Sequence, residues 1–278
     1  MDRKTEALLP AQRVIDDGDM LLYRALPAPG RVSIGPFVFL DHYRHRSKRG
    51  IGDKPHPHAG IEVISYLLEG GVEHRDSAGF RDTLGAGDAQ FIRAGRGILH
   101  AEQPSGGRHG LQLWTSLPAA QKFVEPTYAS YRAAAIPRIE APGVRVDVIA
   151  GRVGDVTGPM VLTSPTTFAV VHLEAGATAH LAVDASAELG LYVVEGAVAA
   201  PDRSSFGVGV LALLAGGASV GFTAAGQAPA IVALIGGRPA EEPILFSGPF
   251  VMDSPEHLAR ARSDYSAGKM GRLDGVPF

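Results

Sequence analysis

The stretch KPHPHAGIEVISYLLEGGVEHRDS, residues 54–77, read together with GILHAE at residues 97–102, decides the fold. The first segment carries His56 and His58 with Glu62 just after them, and the second carries His100 and Glu102. Side chains on extended chain alternate between the two faces of a sheet, so residues two apart project to the same side. His56, His58 and Glu62 share one parity, and His100 and Glu102 form a second matched pair. Five candidate ligands can therefore converge inside one barrel. Imidazole nitrogens with carboxylate oxygens are the donors of a transition-metal site.

Outward from this stretch, the chain reads as short strands. Residues 61–68, 71–74, 80–83, 89–92 and 110–117 are β-prone runs closed by Gly, Asp-Ser or Pro. Upstream, PFVFLDHY at 36–43 reads as a central strand, and Asp16-Asp17-Gly18-Asp19 punctuates a hairpin over 12–26. The basic run 44–49 reads as a solvated loop that leads to His56. The pattern lapses over the proline-containing residues 118–142, the expected linker. Strands resume at 144–150, 160–163, 168–173 and 178–183 and continue to residue 235. The fold class is all-β, with two domains expected at 1–135 and 136–278. One helix is expected over 254–266, capped by Ser254, with Pro255 at its first position, Glu256 in its first turn and Gly268 beyond its end.

Composition narrows the function. The 278 residues are 45% hydrophobic, enough for a substantial core. A net charge of −3 from 26 basic and 29 acidic residues announces no nucleic-acid surface. With no cysteine, disulfides and thiolate metal sites are excluded, which is compatible with a reducing cytoplasm. The N-terminal residues 1–18 lack the apolar core of a signal peptide. The most apolar stretch, 207–222, falls short of the ~20 residues of a membrane span and is broken by glycines. It reads as two buried strands and a turn, and the chain as a soluble protein.

The chain also repeats itself. YLLEGGV at 66–72 returns as YVVEGAV at 192–198. Placing the two in register sets Ala182 against His56, Asp184 against His58 and Glu188 against Glu62, and drops the His100 and Glu102 positions into 226–228. The second copy keeps the strands and loses the imidazoles, so one metal per chain is expected, in the first half.

Gly50, five residues, His56-x-His58, three residues and Glu62 resemble the first motif of the cupin barrel. Gly87, Gly95 and His100 resemble the second, with Arg93 where a proline is expected and the histidine two residues late. Longer phrases are closer still to one branch of that superfamily. KPHPHAGIEVISYLLEGGVEHRDS, GDAQFIRAGRGILHAE, QLWTSLP and GGRPAEEPILFSGPFVMDSPEHLARARSDYSAGKMG resemble the pirin family over nearly the whole chain.

The resemblance implies a bicupin: two stacked antiparallel jelly-roll barrels with a metal in the N-terminal one only and a short C-terminal helix. It implies His56, His58, His100 and Glu102 as metal ligands, with Glu62 left as a hydrogen-bond partner of a ligand histidine. Parity alone does not choose between Glu62 and Glu102. Such a ligand set suits iron, zinc, manganese, nickel or copper, and iron(II) is the expectation. The ligand set resembles that of flavonol dioxygenases, implying a flavonol such as quercetin and O2 as substrates, release of CO, and Glu102 as general base. Family resemblance also implies a non-enzymatic alternative, a redox-sensing regulator that binds a transcription factor or metabolic enzyme. A cytoplasmic monomer without direct nucleic-acid or membrane contact is expected. His74 reads as structural, and His42, His45, His109, His172, His180 and His257 as ordinary polar residues. Trp114 and Gln112 share a parity and either line the pocket or pack in the core. Gly95 and Gly97 relieve the backbone at a turn.

Overall fold

The computed structural model describes residues 2–47, 50 and 52–276, so Lys48 and Arg49 of the basic run lie outside the described residues. The first strands, in chain order, are β1 (Thr5–Pro10), β2 (Gln12–Asp16), β3 (Met20–Leu26), β4 (Phe37–His45) and β5 (His56–His58). Then come β6 (Ile61–Asp76), β7 (Arg81–Leu84), β8 (Ala89–Arg93), β9 (Ile98–Ser116) and β10 (Thr127–Tyr131). One sheet runs β10-β8-β6-β9-β4-β3-β2, with β5 added to β9 and β7 to β6. The hairpin expected over 12–26 is present: Asp17 Oδ1 accepts from the backbone N–H of Asp19 and Met20 and closes the turn between β2 and β3.

Two pairs of expected short strands are single long ones. Residues 61–68 and 71–74 belong to the 16-residue β6, and the segments around His100 and 110–117 belong to the 19-residue β9. Gly70 bends β6 without ending it. Its φ of +77° is a left-handed conformation, and a Cβ there would run into the Gly107 carbonyl. The register of β6 against β9 slips between Leu67 and Glu69 and again between Gly70 and Val72. A turn signal in the sequence is thus a pair of bulges in the fold.

The expected linker also carries structure. β10 pairs with β8, and Arg138–Ala141 pairs with Val144–Ala150. Residues 160–163 form no strand; Met160 makes only an isolated bridge to Ala150.

The chain divides into two compact units. One comprises the chain up to Gln12, residues 24–37 and residues 134–239; the other comprises residues 13–23, 38–133 and the chain from Ala240 onward. The central crossing at 133/134 lies beside the expected 135/136, but each terminal segment belongs with the opposite half. In the first of these units β1 pairs antiparallel with Val210–Leu214, extending a sheet that continues through Glu188–Glu195, Ala230–Gly237, Thr166–Leu173 and Val144–Ala150. An open sheet edge offers unpaired N–H and C=O groups, and β1 covers this one. Apolar residues such as Val146, Val171, Leu191, Val193, Phe222 and Leu234 fill the core of that unit.

In the other unit the helix α1 (Pro255–Ser266) forms as expected, with the Ser254 hydroxyl accepting from His257 N–H at 3.1 Å and Gly268 at φ +72° beyond its end. Leu258 and Ala261 of α1 cluster with Ala59, Phe250, Met252 and Met270, so the helix packs beside the segment that follows His58. Lys122 fixes the same region. Its buried ammonium donates to the carbonyls of Gly60 (3.0 Å) and Val251 (3.0 Å) and to the Ser116 hydroxyl (2.8 Å). No helix among the described residues is long and apolar enough to cross a membrane.

Candidate metal centre

Strand register brings the site together. Over residues 98–104, β9 lies between β5 and the second half of β6: His100 is opposite His56 on one side and Asp76 on the other, and Glu102 is opposite His74. Residues directly opposed in an antiparallel pair project to the same face. Residues 44 apart in sequence thereby share one surface.

The three imidazoles meet. Ring centroids lie 4.3 Å apart for His56 and His100, 4.9 Å for His58 and His100, and 5.1 Å for His56 and His58. One nitrogen from each ring lies within 4.8 Å of the other two. His58 and His100 are buried and His56 is half-buried. His56 Nδ1 sits 2.9 Å from the Lys54 carbonyl, which can only accept, so Nδ1 donates and Nε2 is the nitrogen available to a metal.

Burial, reinforced by His56, holds the His58 imidazole well below its usual pKa against the opposing Pro249 carbonyl. Burial does the same for His100, helped by His56, His58, His74 and Arg108. Both rings are therefore neutral at pH 7 and able to donate lone pairs. Neither ring nitrogen of His58 or of His100 has a partner in hydrogen-bond geometry. A buried, unsatisfied polar group costs about 1–3 kcal/mol. A cation between the three rings would engage one nitrogen of each, so the residues present fit a transition metal with nitrogen ligands.

Glu102 stands at the edge of this set. One carboxylate oxygen accepts from Gln90 Nε2 in a short hydrogen bond, and the other accepts from Arg108 Nη1 at 2.7 Å. Its nearest approach to His100 is 3.8 Å. Burial would raise the carboxyl pKa, but Arg108, His74 and the Gln90 hydrogen bond outweigh it, and Glu102 is held below the usual carboxylate range. The Arg108 guanidinium is itself buried and lies 4.6 Å from the centre of the Tyr43 ring. A second donor set overlaps the first: His74, His100 and Glu102 also present ligand atoms within 4.8 Å of one another.

Glu62 is placed differently. It is buried, opposite Thr115 and Arg93 in register, and its carboxylate accepts from Arg93 Nε (3.1 Å) and Thr115 Oγ1 (3.1 Å). Its neighbours Val63 and Ser65 occupy the other face of β6. That is the face of Trp114, which is opposite Val63 and packs edge-on against His58 at 4.9 Å. Trp114 also stacks on Phe39 at 3.9 Å, so it is a core residue and a wall of the imidazole cluster at once.

Gln90, Arg108 and the His74–Asp76 pair were not anticipated as parts of the site. EHRDS does put His74 and Asp76 on one face by parity, a usable signal. Nothing local marks Arg108 or Gln90, whose roles arise from contacts across strands. His42 and His109 are likewise more than ordinary polar residues: they are buried and share a 2.8 Å contact between their Nε2 atoms.

Fold and site together define a bicupin with a metal-competent imidazole cluster in one barrel only among the described residues. The family model described as Pirin matches residues 20–115, and that of the Pirin C-terminal cupin domain matches residues 168–271. Over 264 residues the chain is 33% identical to a pirin-like protein of Solanum lycopersicum, covering 93% of this chain and 90% of that one. The chain belongs to the pirin family. Its structure is similar to that of a quercetin 2,3-dioxygenase from Acinetobacter baumannii, with a TM-score of 0.87 and 28% identity over 100% of both chains. A bacterial pirin from Escherichia coli, solved in complex with nickel(II), shares the fold with a TM-score of 0.65 at 20% identity, over 84% of this chain and 99% of that one.

Proposed function

We propose that this pirin is a metal-dependent dioxygenase that opens the heterocycle of flavonols such as quercetin with O2 and releases CO. His56, His58, His100 and Glu102 would hold one divalent metal, with iron(II) as the assignment. The observation that carries the reading is the three-imidazole cluster, in which buried His58 and His100 are neutral and lack hydrogen-bond partners, beside a carboxylate held below its usual range. Similarity to the Acinetobacter dioxygenase along the full length of both chains supports the substrate class. The nickel of the E. coli pirin supports a transition metal in this fold.

When bound, the metal supplies Lewis acidity toward adjacent flavonol oxygens and redox chemistry toward O2. The protein supplies the rest. Glu102 accepts the flavonol hydroxyl proton as general base. Arg108 and Gln90 hold that carboxylate in one orientation and keep it ionised, at the cost of making it a weaker base. Trp114, backed by Phe39, presents an aromatic surface beside His58 suited to a flat polycyclic substrate.

Metal analysis of protein purified without oxygen, followed by aerobic loss of flavonol absorbance, tests the proposal. Iron-replete protein should consume quercetin and evolve CO; a metal-replete protein that leaves a flavonol panel untouched sinks it. Binding of a partner protein in one oxidation state only, by that same inactive protein, would favour the regulatory reading.

A further inference from the structure

The proposed reading leaves His74 without a task, although its surroundings are those of a ligand. Both His74 and Asp76 are fully buried, and His74 Nε2 lies 3.0 Å from Asp76 Oδ2. The Asp76 carboxylate oxygen accepts this hydrogen bond, which puts a proton on Nε2 and makes Nδ1 the nitrogen available to a metal. Nδ1 is buried and has no hydrogen-bond partner. A histidine kept only for packing would leave an acceptor unsatisfied in the interior, a costly arrangement. Metal-binding histidines, in contrast, characteristically give their other N–H to a carboxylate.

The pair is also rigid. The second oxygen of Asp76 accepts from the backbone N–H groups of Ala78 and Phe80, each at 3.0 Å. Tyr128 stacks on the His74 ring at 4.5 Å and 19°, fixing its plane. Register sets His74 opposite Glu102, and a His74 nitrogen lies with His100 and Glu102 inside 4.8 Å. Both Glu102 oxygens are already held by Gln90 and Arg108, whereas His74 Nδ1 has no hydrogen-bond partner to give up.

We propose that His74, oriented by Asp76, is a further metal-ligating residue, forming with His100 and Glu102 a second donor set that overlaps the three-imidazole set at His100. The inference rests on the metal reading above and extends its ligand list. No turnover is needed to test it.

The full chain is loaded with copper(II), its affinity is measured by chelator competition, and the coordinated nitrogens are counted from the hyperfine structure of the EPR spectrum. His74→Ala should lose one coordinated nitrogen and bind copper at least about 10-fold more weakly, and added imidazole should restore the nitrogen. Asp76→Asn should weaken binding by roughly 10-fold, as outer-sphere partners do. A folded His74→Ala protein with the wild-type spectrum and affinity overturns the inference. Should that variant fail to fold, His74→Gln is read by the same criteria. Wild-type protein that binds no copper, or whose binding is indifferent to His100→Ala, overturns the metal reading and this inference with it.

Discussion

The two repeats of this chain share a backbone device and differ in what they enclose. Gly70 and Gly196 occupy the same place in YLLEG and YVVEG, at φ +77° and +71°, and a Cβ on either would strike a carbonyl on the facing chain. Both strands slip register at the same step, between Leu67 and Glu69 and between Val193 and Glu195. Their interiors diverge. Of the buried polar and charged side chains among the described residues, all but Arg3, Asp147, Thr166 and Thr167 lie in the unit that carries the imidazoles. At the repeat-related positions, Ala182 is exposed, Asp184 accepts from Ser186, and Glu188 accepts from Gly35 N–H and pairs with Arg31. One barrel is closed by apolar packing, the other by specific pairings around a set of donors. The glycine bulge belongs to the scaffold; the polar interior belongs to the site.

The largest stability effect is expected where a pairing is broken. Arg108→Leu leaves the Glu102 carboxylate buried without its cation, and should cost the metal-free protein about 3–5 kcal/mol in urea unfolding. Adding Glu102→Leu should recover much of that loss. A single variant as stable as wild type would mean that the polar interior does not depend on its pairs. In the apolar barrel, Leu234→Ala should cost about 2–5 kcal/mol through the cavity it leaves, while metal content stays unchanged. Loss of metal in that variant would show that the barrels are not separable in this way.

The smallest expected effect is a pH dependence confined to the polar barrel. Burial pushes His42 down to about 3, with His109 and Arg44 adding to the shift. Burial likewise pushes His109 down to about 4, with Arg44 helping and Glu69 opposing. Below the ordinary histidine value of about 6.5 the unfolded chain takes up protons that the folded chain refuses, so stability falls as pH drops toward the folded-state values. Between pH 6.5 and 5.5 the loss should be about 1 kcal/mol per histidine. The double variant His42→Gln/His109→Gln should flatten the unfolding profile by that amount. An unchanged profile would assign the acid sensitivity elsewhere.

Much of this was legible in the sequence because it depends on local rules. Period-two spacing placed His56 with His58 and His100 with Glu102. The EG turn exposed the repeat, and Ser254-Pro255-Glu256 announced the helix. What escaped the sequence depends on partners distant along the chain. β6 and β9 looked broken because a bulge and a turn use the same residues. The exchange of termini turns on which sheet edge a short strand covers.

The candidate donor residues, then, belong to the sequence, but their grouping was decided by the tertiary structure. Spacing named His56, His58, His100 and the two candidate glutamates, and family phrases ranked Glu102 above Glu62. Only strand register set His100 between His56 and Asp76 and turned Glu62 to Arg93 and Thr115. It also delivered Arg108 and Gln90 to the Glu102 oxygens and brought His74 alongside them. The reason is physical. A residue's parity follows from its own stretch of chain, whereas a carboxylate's partner is fixed by which strands hydrogen-bond and at what offset.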